Sequence, residues 1–408
     1  GKPKGVMLSH RNFCSNVEAV SHVLSCGPDD SCLSFLPLSH SFERLAGFYH
    51  MLSRGVTINY AETMETVARD LIEVAPTLLI GVPRVYEKIY ARVLENATEG
   101  TAIKRRIFFW SKRNAELWAD ATLDKKPISA ALAVKRAIAD KLVFTKLRAR
   151  TGGRVRFMVS GAAPLSPDIA KFFYAAGLPI IEGYGLTETS PVISVNPLDG
   201  IKLGFVGPPI PGVEVRIADD GEICARGPNI MLGYHANPQA TAEVIDAEGW
   251  FHTGDIGEID ADGYIRITDR KKDIIVTAGG KNIAPQPIEN MVKLNGYILN
   301  VVMLGDKRRF PIMLVVPDDA ALGKWAAERG LTGLTKSELL AHPDALAKIE
   351  REVMRELRGL ASYETPKKVV LLEEDFSVEN GELTPTLKIK RRVVEERYSD
   401  LIERTYQD

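Results

Sequence analysis

The sequence is poor in cysteine, carries almost no net charge and contains no long apolar run. Its four cysteines, among 408 residues, lack the spacing of a metal site or a redox pair. Scattered cysteines are typical of buried thiols in a reducing compartment, so we predict a cytoplasmic protein. The 52 basic and 53 acidic side chains give a net charge of −1, and we expect no binding to nucleic acid. No run of about 18 apolar residues could form a membrane-spanning helix.

Short apolar segments alternate with segments of helical spacing through the first part of the chain. The predicted strands are 33–38, 56–60, 77–82, 155–160 and 178–182. The predicted helices are 11–25, 42–53, 64–74, 84–97 and one that begins near Pro167. This alternation predicts a mostly parallel sheet flanked by helices.

The pattern changes twice further along the chain. Between residues 205 and 268, glycine and proline separate short alternating segments, which predicts a small β-rich subdomain. After residue 270 the sequence returns to mixed strands and helices. We therefore predict an α/β protein with a large domain over 1–270 and a smaller, mobile α+β C-terminal domain over 271–408.

The first five residues, Gly-Lys-Pro-Lys-Gly, suit contact with phosphate. Lys2 and Lys4 supply positive charge, and Gly5 allows close approach of the backbone. No Ser or Thr follows a Gly-Lys pair, so the segment is not a Walker loop. Taken alone, it is more typical of a basic turn.

Two glycine-containing segments follow predicted strands, where an α/β sheet binds its ligands. In the first, 160–164, the small residues Gly161 and Ala162 let a flat ring lie against the backbone, although a tight turn explains them equally well. In the second, 182–190, Tyr184 lies between two glycines, which suits stacking with a base. A tyrosine packed in a turn is the alternative.

The second segment also contains oxygen ligands. The Thr187 hydroxyl could contact phosphate, and Glu188 could hold Mg²⁺ bound to phosphates.

Three charged residues further along complete the candidate site. The carboxylate of Asp255 can accept two hydrogen bonds from a vicinal diol. The guanidinium of Arg270 can contact two oxygens at once, which a lysine cannot do. Lys388 could stabilise charge that develops during substitution at phosphorus, and Lys390 is the nearest competitor for that role. The structural alternatives are a turn cap for Asp255, a surface ion pair for Arg270 and a solvated helix start for Lys388.

Together these motifs resemble the adenylate-forming (AMP-binding) enzymes. The matching segments are Gly1–Gly5 with 6–12, Glu182–Ser190, Thr253–Asp255, Asp269–Asp273 and 384–392. The resemblance implies that ATP or AMP is bound by Lys2, Lys4, Gly5, Gly161, Ala162, Tyr184, Gly185, Thr187, Asp255 and Arg270. It implies catalytic roles for Lys388, Thr187 and Glu188, with Glu188 as the metal ligand.

The same resemblance assigns the second half of the reaction. Lys272 is the implied hinge, and the implied CoA contacts are Gly279, Gly280 and Lys281. His40 and Gly183 are the implied acyl contacts. Since Gly1–Gly5 matches only the second half of the family's phosphate loop, we expect the natural protein to continue upstream.

The segment 82–89 and the long insertion at 97–152 resemble long-chain fatty acyl-CoA synthetases in particular. The implied activity is ATP-dependent ligation of a long-chain fatty acid to CoA through an acyl-adenylate, with release of AMP and pyrophosphate. One alternative is an acyl-AMP ligase that passes the acyl group to a carrier protein. Another is a fragment that binds nucleotide without turnover.

The insertion contains a basic and aromatic segment, Lys104–Arg113, on a predicted helix. We expect its aromatic residues to pack inward and its charges to be solvated. The alternative is peripheral contact with an anionic membrane, at its inner face, where fatty acid partitions.

Overall fold

A computed structural model describes residues 4–384 and 388–407. The chain divides into two compact units, Gly1–Ile267 and Thr268–Asp408. The domain boundary predicted from the sequence, after residue 270, lies slightly further along the chain. In the described residues, no helix combines the length and apolar character needed to cross a membrane.

The first unit contains twelve strands, the last of which runs past its boundary, and nine α-helices among the described residues. The strands are β1 (Val6–Met7), β2 (Ser31–Ser34), β3 (Thr57–Tyr60), β4 (Leu78–Gly81), β5 (Phe157–Ser160), β6 (Ile180–Gly185), β7 (Val192–Val195), β8 (Glu214–Ile217), β9 (Glu222–Arg226), β10 (Gly233–Tyr234), β11 (Phe251–Ile259) and β12 (Ile265–Arg270). The helices are α1 (His10–Val23), α2 (His50–Ser53), α3 (Val67–Val74), α4 (Pro83–Thr98), α5 (Ala102–Leu123), α6 (Ala130–Ala139), α7 (Thr145–Ala149), α8 (Pro167–Ala175) and α9 (Pro238–Ala242). Wider π-helical turns cover Glu43–Tyr49 and Asp140–Phe144, and a 3₁₀ turn covers Thr187–Thr189.

The main sheet has six strands in the order β3-β2-β4-β5-β6-β7. The first five are parallel, and β7 is antiparallel to β6. Strands β4 and β5 are buried along their whole length, as expected for a parallel sheet covered on both faces. The prediction of a mostly parallel sheet flanked by helices is confirmed.

A second sheet in this unit forms the β-rich part of the chain. Its strand order is β12-β11-β9-β8, and β9 is antiparallel to both β8 and β11. The sequence did not predict β11, because its glycines interrupt the alternating pattern. The register of β11 against β9 shifts between His252 and Ile256, so the strand has a bulge at that point.

The second unit is built on a three-stranded sheet and a short hairpin. Its strands are β13 (Ile275–Val276), β14 (Asn282–Ile283), β15 (Ile298–Leu304), β16 (Ile312–Pro317) and β17 (Lys368–Leu371). Its helices are α10 (Pro285–Val292), α11 (Asp319–Glu328), α12 (Lys336–Ala341), α13 (Pro343–Glu356), α14 (Arg391–Arg397) and α15 (Ser399–Gln407). Strand β16 pairs antiparallel with β15 and parallel with β17, and apolar clusters cover this sheet.

Helix α1 is joined to the main sheet by a fully buried amide. The Asn16 side chain donates to the carbonyl of Val192 at 2.8 Å and accepts from its N–H at 3.2 Å. Asn229 donates to the same carbonyl at 3.0 Å and to that of Thr189 at 3.1 Å. These bonds fix β7 and the turn that precedes it, where the predicted site residues Thr187 and Glu188 lie.

We expect Asn16→Ala to lower the free energy of unfolding by about 1–3 kcal/mol, because the buried N–H of Val192 loses its acceptor. Urea unfolding measures this change. The matched control is Glu18→Ala on the exposed side of the same helix, which should unfold like the wild type. Equal stability of Asn16→Ala and Glu18→Ala would contradict the assigned role of Asn16.

Candidate active site

The turn after β6 presents an acidic side chain that a tyrosine holds in place. The Tyr234 hydroxyl donates to Glu188 Oε1 at 2.9 Å, and the Met231 N–H donates to the Glu188 carbonyl at 2.8 Å. Burial and the adjacent Glu188 both raise the pKa of Tyr234, so its hydroxyl keeps its proton. Glu188 is therefore oriented by a neutral donor.

The same tyrosine lies beside the basic segment at the start of the chain. Strand β1 pairs with β10, so that Val6 faces Tyr234, and the His235 N–H donates to the Gly5 carbonyl at 2.7 Å. The Lys4 ammonium lies 3.9 Å from the centre of the Tyr234 ring. Lys4, Gly5 and Glu188 are thus brought together by a residue that the sequence analysis missed. Lys2 lies outside the described residues.

Nothing in the local sequence singles out Tyr234. It follows Gly233 in a two-residue strand without periodicity. Only the long-range pairing of β1 with β10 reveals its position.

A second tyrosine holds a second carboxylate. The Tyr184 hydroxyl donates to Asp255 Oδ2 at 2.9 Å, and the two side chains are 6% and 4% exposed. The sequence is compatible with either a stacking surface or a packed side chain at Tyr184. The structure packs Tyr184 into the core cluster of this unit and brings it to Asp255.

The bulge in β11 determines where Asp255 lies. Gly254 has a φ of 74°, a conformation that favours glycine. Its N–H donates to Glu222 Oε1 at 2.7 Å, and the Asp255 N–H donates to Thr253 Oγ1 at 3.1 Å. The Thr253-Gly254-Asp255 motif is therefore a strand irregularity that redirects one carboxylate.

The two glycines beside Tyr184 are explained by packing. A Cβ on Gly185 would lie 1.7 Å from the Pro191 carbonyl oxygen, and one on Gly183 would lie 3.1 Å from Val195 Cγ2. Gly185 leaves room for the chain as it returns along β7.

The end of β5 also depends on small residues. A Cβ on Gly161 would lie 2.8 Å from the Phe42 ring, and Ala162 has a φ of 69°. A non-glycine residue in this region is strained, and such strain occurs at functional sites more often than elsewhere. The end of β5 and the 40–42 segment therefore pack together.

The predicted acyl-site residue His40 lies in that segment. Burial lowers the pKa of His40, and its Nδ1 accepts the Phe42 N–H at 3.2 Å, as a neutral ring can. The neighbouring Ser41 Oγ lies 3.3 Å from Thr187 Oγ1. The structure thus brings the 40–42 segment to both the β5 end and the Thr187 turn.

In the second unit, Lys388 is hydrogen-bonded to Thr384. The Lys388 N–H donates to Thr384 Oγ1 at 3.0 Å, and the Thr384 N–H donates to the Lys388 carbonyl at 2.8 Å. Residues 385–387, between them, lie outside the described residues. Lys388 is half-buried, whereas Lys390 is exposed.

An ion pair between Arg391 and Glu289 fixes the chain three residues after Lys388. Arg391 Nη1 lies 2.6 Å from Glu289 Oε1 on α10, and the same oxygen accepts the Met303 N–H at 2.7 Å. Asp269 is also buried, and burial raises its pKa to about 6. Arg391 interacts electrostatically with Glu289 and Asp269, so the cluster connects the segment after Lys388 with the segment that contains Arg270.

The remaining predicted residues lie in turns of the second unit. Lys272 is exposed in a turn closed by bonds from the Asp273 and Ile274 N–H groups to the Arg270 carbonyl, at 2.9 and 3.0 Å. The predicted CoA contacts form the exposed tip of the β13–β14 hairpin. There Gly280 has a φ of 73°, and the Lys281 ammonium lies 5.7 Å from the Tyr363 ring centre.

The donor set suits magnesium bound mainly through a ligand. Among the described residues, no group of three or more His, Cys, Asp or Glu side chains could hold a metal by itself. Mg²⁺ usually keeps several waters and binds one or two carboxylates together with phosphate oxygens. The half-buried Glu188, which is held by the tyrosine that Lys4 also contacts, fits that pattern.

Comparison with known families and proteins gives consistent results. The model of the AMP-binding enzyme family matches residues 1–235, and that of the AMP-binding enzyme C-terminal domain matches residues 272–408. Long-chain-fatty-acid–CoA ligase FadD15 of Mycobacterium tuberculosis is 38% identical over 409 residues, and long-chain-fatty-acid–CoA ligase 1 of Homo sapiens is 34% identical over 426. Both matches cover 100% of this chain, but 67% of the mycobacterial and 59% of the human protein.

Solved structures show the same fold. The adenylation domain of a carboxylate reductase from Mycobacterium chelonae superposes with a TM-score of 0.78 at 23% identity, covering 100% of this chain and 58% of that one. The A domain of the carboxylic acid reductase from Segniliparus rugosus, solved with AMP and a co-purified carboxylic acid, gives 0.74 at 25% identity. It covers 100% of this chain and 60% of that one.

The buried carboxyl group of Glu182, at the start of the 182–190 segment, predicts that stability depends on pH. Burial raises the pKa of Glu182 from 4.5 to about 8, although hydrogen bonds from the backbone of Leu165 and Gly204 lower it in part. Above about pH 4.5 the unfolded chain therefore releases the proton of Glu182, whereas the folded state keeps it up to about pH 8. The free energy of unfolding should fall as pH rises from about 4.5 to about 8.

Between pH 7 and 8 we expect the wild type to lose about 1 kcal/mol of stability, and Glu182→Gln to lose less, in urea unfolding. Glu43→Gln is the matched control. Burial raises the pKa of Glu43 only to about 7, so this variant should keep most of the change above pH 7. An equal change in wild type and Glu182→Gln would show that Glu182 is already ionised at neutral pH.

Proposed function

This chain belongs to the AMP-binding enzyme family, and we propose that it ligates a long-chain fatty acid to CoA. The reaction uses ATP, proceeds through an acyl-adenylate and releases AMP and pyrophosphate. The names of relatives that are 34–38% identical across the whole chain support the substrate class.

The position of Glu188 is the main structural support for this function. Tyr234 holds this carboxylate, and Tyr234 in turn lies against Lys4 and beside Gly5. A carboxylate and an ammonium group on two sides of one tyrosine suit a magnesium–triphosphate, in which cationic and anionic partners are both needed.

We assign the nucleotide contacts as follows. Lys4 and Gly5, together with Lys2, bind phosphate, and Thr187 donates its hydroxyl to it. Asp255 accepts the ribose hydroxyls, with its carboxylate oriented by the Tyr184 hydroxyl 2.9 Å away. The adenine lies along Gly161, Ala162, Tyr184 and Gly185, and Arg270 contacts ribose or phosphate oxygens.

Glu188 would hold Mg²⁺ through the carboxylate that Tyr234 orients. The metal ion, when bound, lowers the repulsion between the phosphates and an incoming carboxylate. The neutral Tyr234 hydroxyl orients Glu188 without cancelling the negative charge that attracts the ion.

In the first half-reaction a fatty-acid carboxylate oxygen attacks the α-phosphorus of ATP. A new O–P bond forms and pyrophosphate leaves. Lys388 stabilises the negative charge that develops in this step. His40 and Gly183 line the acyl site.

In the second half-reaction the CoA sulfur attacks the acyl carbonyl, and AMP leaves. The thiol proton of CoA is released to solvent. The Gly279-Gly280-Lys281 turn lies beside the CoA arm, and Lys272 is the hinge between the two half-reactions.

Mass spectrometry of products tests the reaction directly. The chain is incubated with MgATP, CoA and saturated fatty acids of different lengths, and long-chain acyl-CoA with equimolar AMP is expected. Acyl-AMP without acyl-CoA would move the assignment to the acyl-AMP ligase alternative. Nucleotide binding with neither product would contradict turnover by this chain.

We expect Tyr234→Phe to raise the Mg²⁺ concentration needed for half-maximal activity about tenfold. A hydrogen bond to a charged group contributes about 1.5–3 kcal/mol, and its loss leaves Glu188 unoriented. Tyr264→Phe is the control, because its hydroxyl donates to the Gly200 carbonyl instead, at 2.8 Å. An unchanged Mg²⁺ dependence in Tyr234→Phe would show that the hydrogen bond from Tyr234 to Glu188 does not support metal binding.

Lys388→Ala should slow adenylation by about 10²- to 10³-fold, the loss typical for a group that stabilises transition-state charge. Conversion of supplied acyl-AMP to acyl-CoA should be spared. Lys390→Ala, two residues away and exposed, should retain adenylation. Loss of adenylation in Lys390→Ala alone would transfer the role to Lys390.

Lys272→Pro should impair thioester formation more than adenylation, because proline fixes φ at a residue that must change conformation between the steps. Lys272→Ala is the control and should retain both half-reactions. Pyrophosphate release and acyl-CoA formation are measured separately. Full retention of both in Lys272→Pro would exclude residue 272 as the hinge.

A further inference from the structure

The positive charge of this chain is concentrated in one helical segment. Residues 101–150 contain 13 basic and 4 acidic side chains, a net charge of +9, whereas the whole chain has −1. The segment comprises α5, α6, α7 and the π-helical turn between the last two. We use the term α5–α6 surface for the exposed side chains of residues 101–144.

The acidic residues of the segment are already paired. Their salt bridges are Glu116 with Lys112, Asp120 with Lys171, Asp124 with Lys126, and Asp140 with Arg136 and Arg148. Within the described part of the chain, Lys104, Arg105, Arg106 and Arg113 form no ion pair. These cations, at the start and middle of α5, thus have no paired counter-charge among residues 4–384 and 388–407.

The same helix also exposes apolar side chains. Ile103, Ile107, Trp110 and Leu117 recur at spacings of four, three and seven residues, which places them on one side of α5. All four are exposed, and Ile103 is 71% exposed. The buried residues of α5 are Phe108, Ser111, Asn114, Ala115 and Ala119, and all of them except Asn114 lie on the other side of the helix.

A second exposed row follows on α6. Val134 and Ile138 are one turn apart, and Leu142 follows by another four residues. All three are exposed, with Val134 at 59%. Lys135 and Lys141 lie next to them in the sequence and are also exposed.

The sequence-based expectation that the aromatics of 104–113 pack inward is therefore wrong for two of three. Phe108 is buried, whereas Phe109 and Trp110 are exposed. The outer side of the helix carries apolar groups that a purely solvated surface would not need.

We propose that the α5–α6 surface binds the headgroup region of an anionic lipid bilayer. An interfacial helix needs an apolar stripe to enter the acyl boundary and flanking cations to contact anionic headgroups. Both kinds of side chain are present on α5, and the structure as described pairs none of the four cations with an acidic side chain. This binding does not depend on the proposed ligase activity, although it would place the protein where fatty acids partition.

Vesicle co-sedimentation tests the proposal with phosphatidylcholine vesicles, with and without about 30% phosphatidylglycerol. Binding is expected only to the anionic vesicles and should weaken as added salt shortens the screening length. The triple variant Lys104→Gln/Arg105→Gln/Arg106→Gln should bind about 100-fold more weakly, since each cation near the surface contributes about fivefold.

The apolar stripe is tested separately with Ile103→Ser/Ile107→Ser/Leu117→Ser. The control is Ile72→Ser, an exposed isoleucine on α3 that lies outside the surface. The stripe variant should lose binding and the control should keep it. Trp110 reports insertion directly, because its fluorescence should shift to the blue with anionic vesicles, and the shift should be absent in Trp110→Phe.

Three results would overturn the proposal. Equal binding to neutral and anionic vesicles would exclude the electrostatic contribution. Anionic binding that the stripe variant retains in full would exclude insertion of α5. A concentration-dependent dimer that the stripe variant abolishes, without vesicle binding by the wild type, would assign the surface to contact with a second copy.

Discussion

The hydrogen bond from Tyr234 to Glu188 is the interaction on which the candidate active site depends. It joins the turn after β6 to β10, and β10 pairs with the strand that follows Lys4 and Gly5. The donor is neutral, so the carboxylate is held at 2.9 Å without losing its charge. A lysine or arginine in the same place would satisfy Glu188 and compete with a metal ion for it. The Lys4 ammonium is instead placed over the ring of the tyrosine.

The same arrangement recurs with Tyr184 and Asp255, where a second hydroxyl donates to a carboxylate that a bulge has redirected. Parallel strands explain why these groups can meet. The carboxyl ends of β5 and β6 lie at one edge of the sheet, and the 160–162 and 182–190 segments follow from them. In the second unit the constraint is ionic: the buried Arg391–Glu289 pair fixes the chain next to Lys388. Stability and chemistry thus depend on a few polar contacts between distant segments.

The sequence was informative where the pattern is local. The strands and helices of the main sheet follow from periodicity, and the five strands predicted between residues 33 and 182 are present, with boundaries shifted by a few residues. Strand β11 was missed because glycines break its alternation, yet one of them, Gly254, lies in the bulge beside Asp255. Tyr234 was missed because its importance comes from pairing with a strand more than 200 residues away. Burial of Tyr184 and exposure of Trp110 depend on packing, which periodicity alone does not supply.

The proposed adenylation is tested most directly by exchange of labelled pyrophosphate into ATP, measured with and without a long-chain fatty acid. We predict exchange that requires both the fatty acid and Mg²⁺ and that is lost in Glu188→Gln, because the proposed role of this carboxylate is in reversible acyl-adenylate formation. Exchange that proceeds equally in Glu188→Gln, or no fatty-acid-dependent exchange in the wild-type chain, would contradict it.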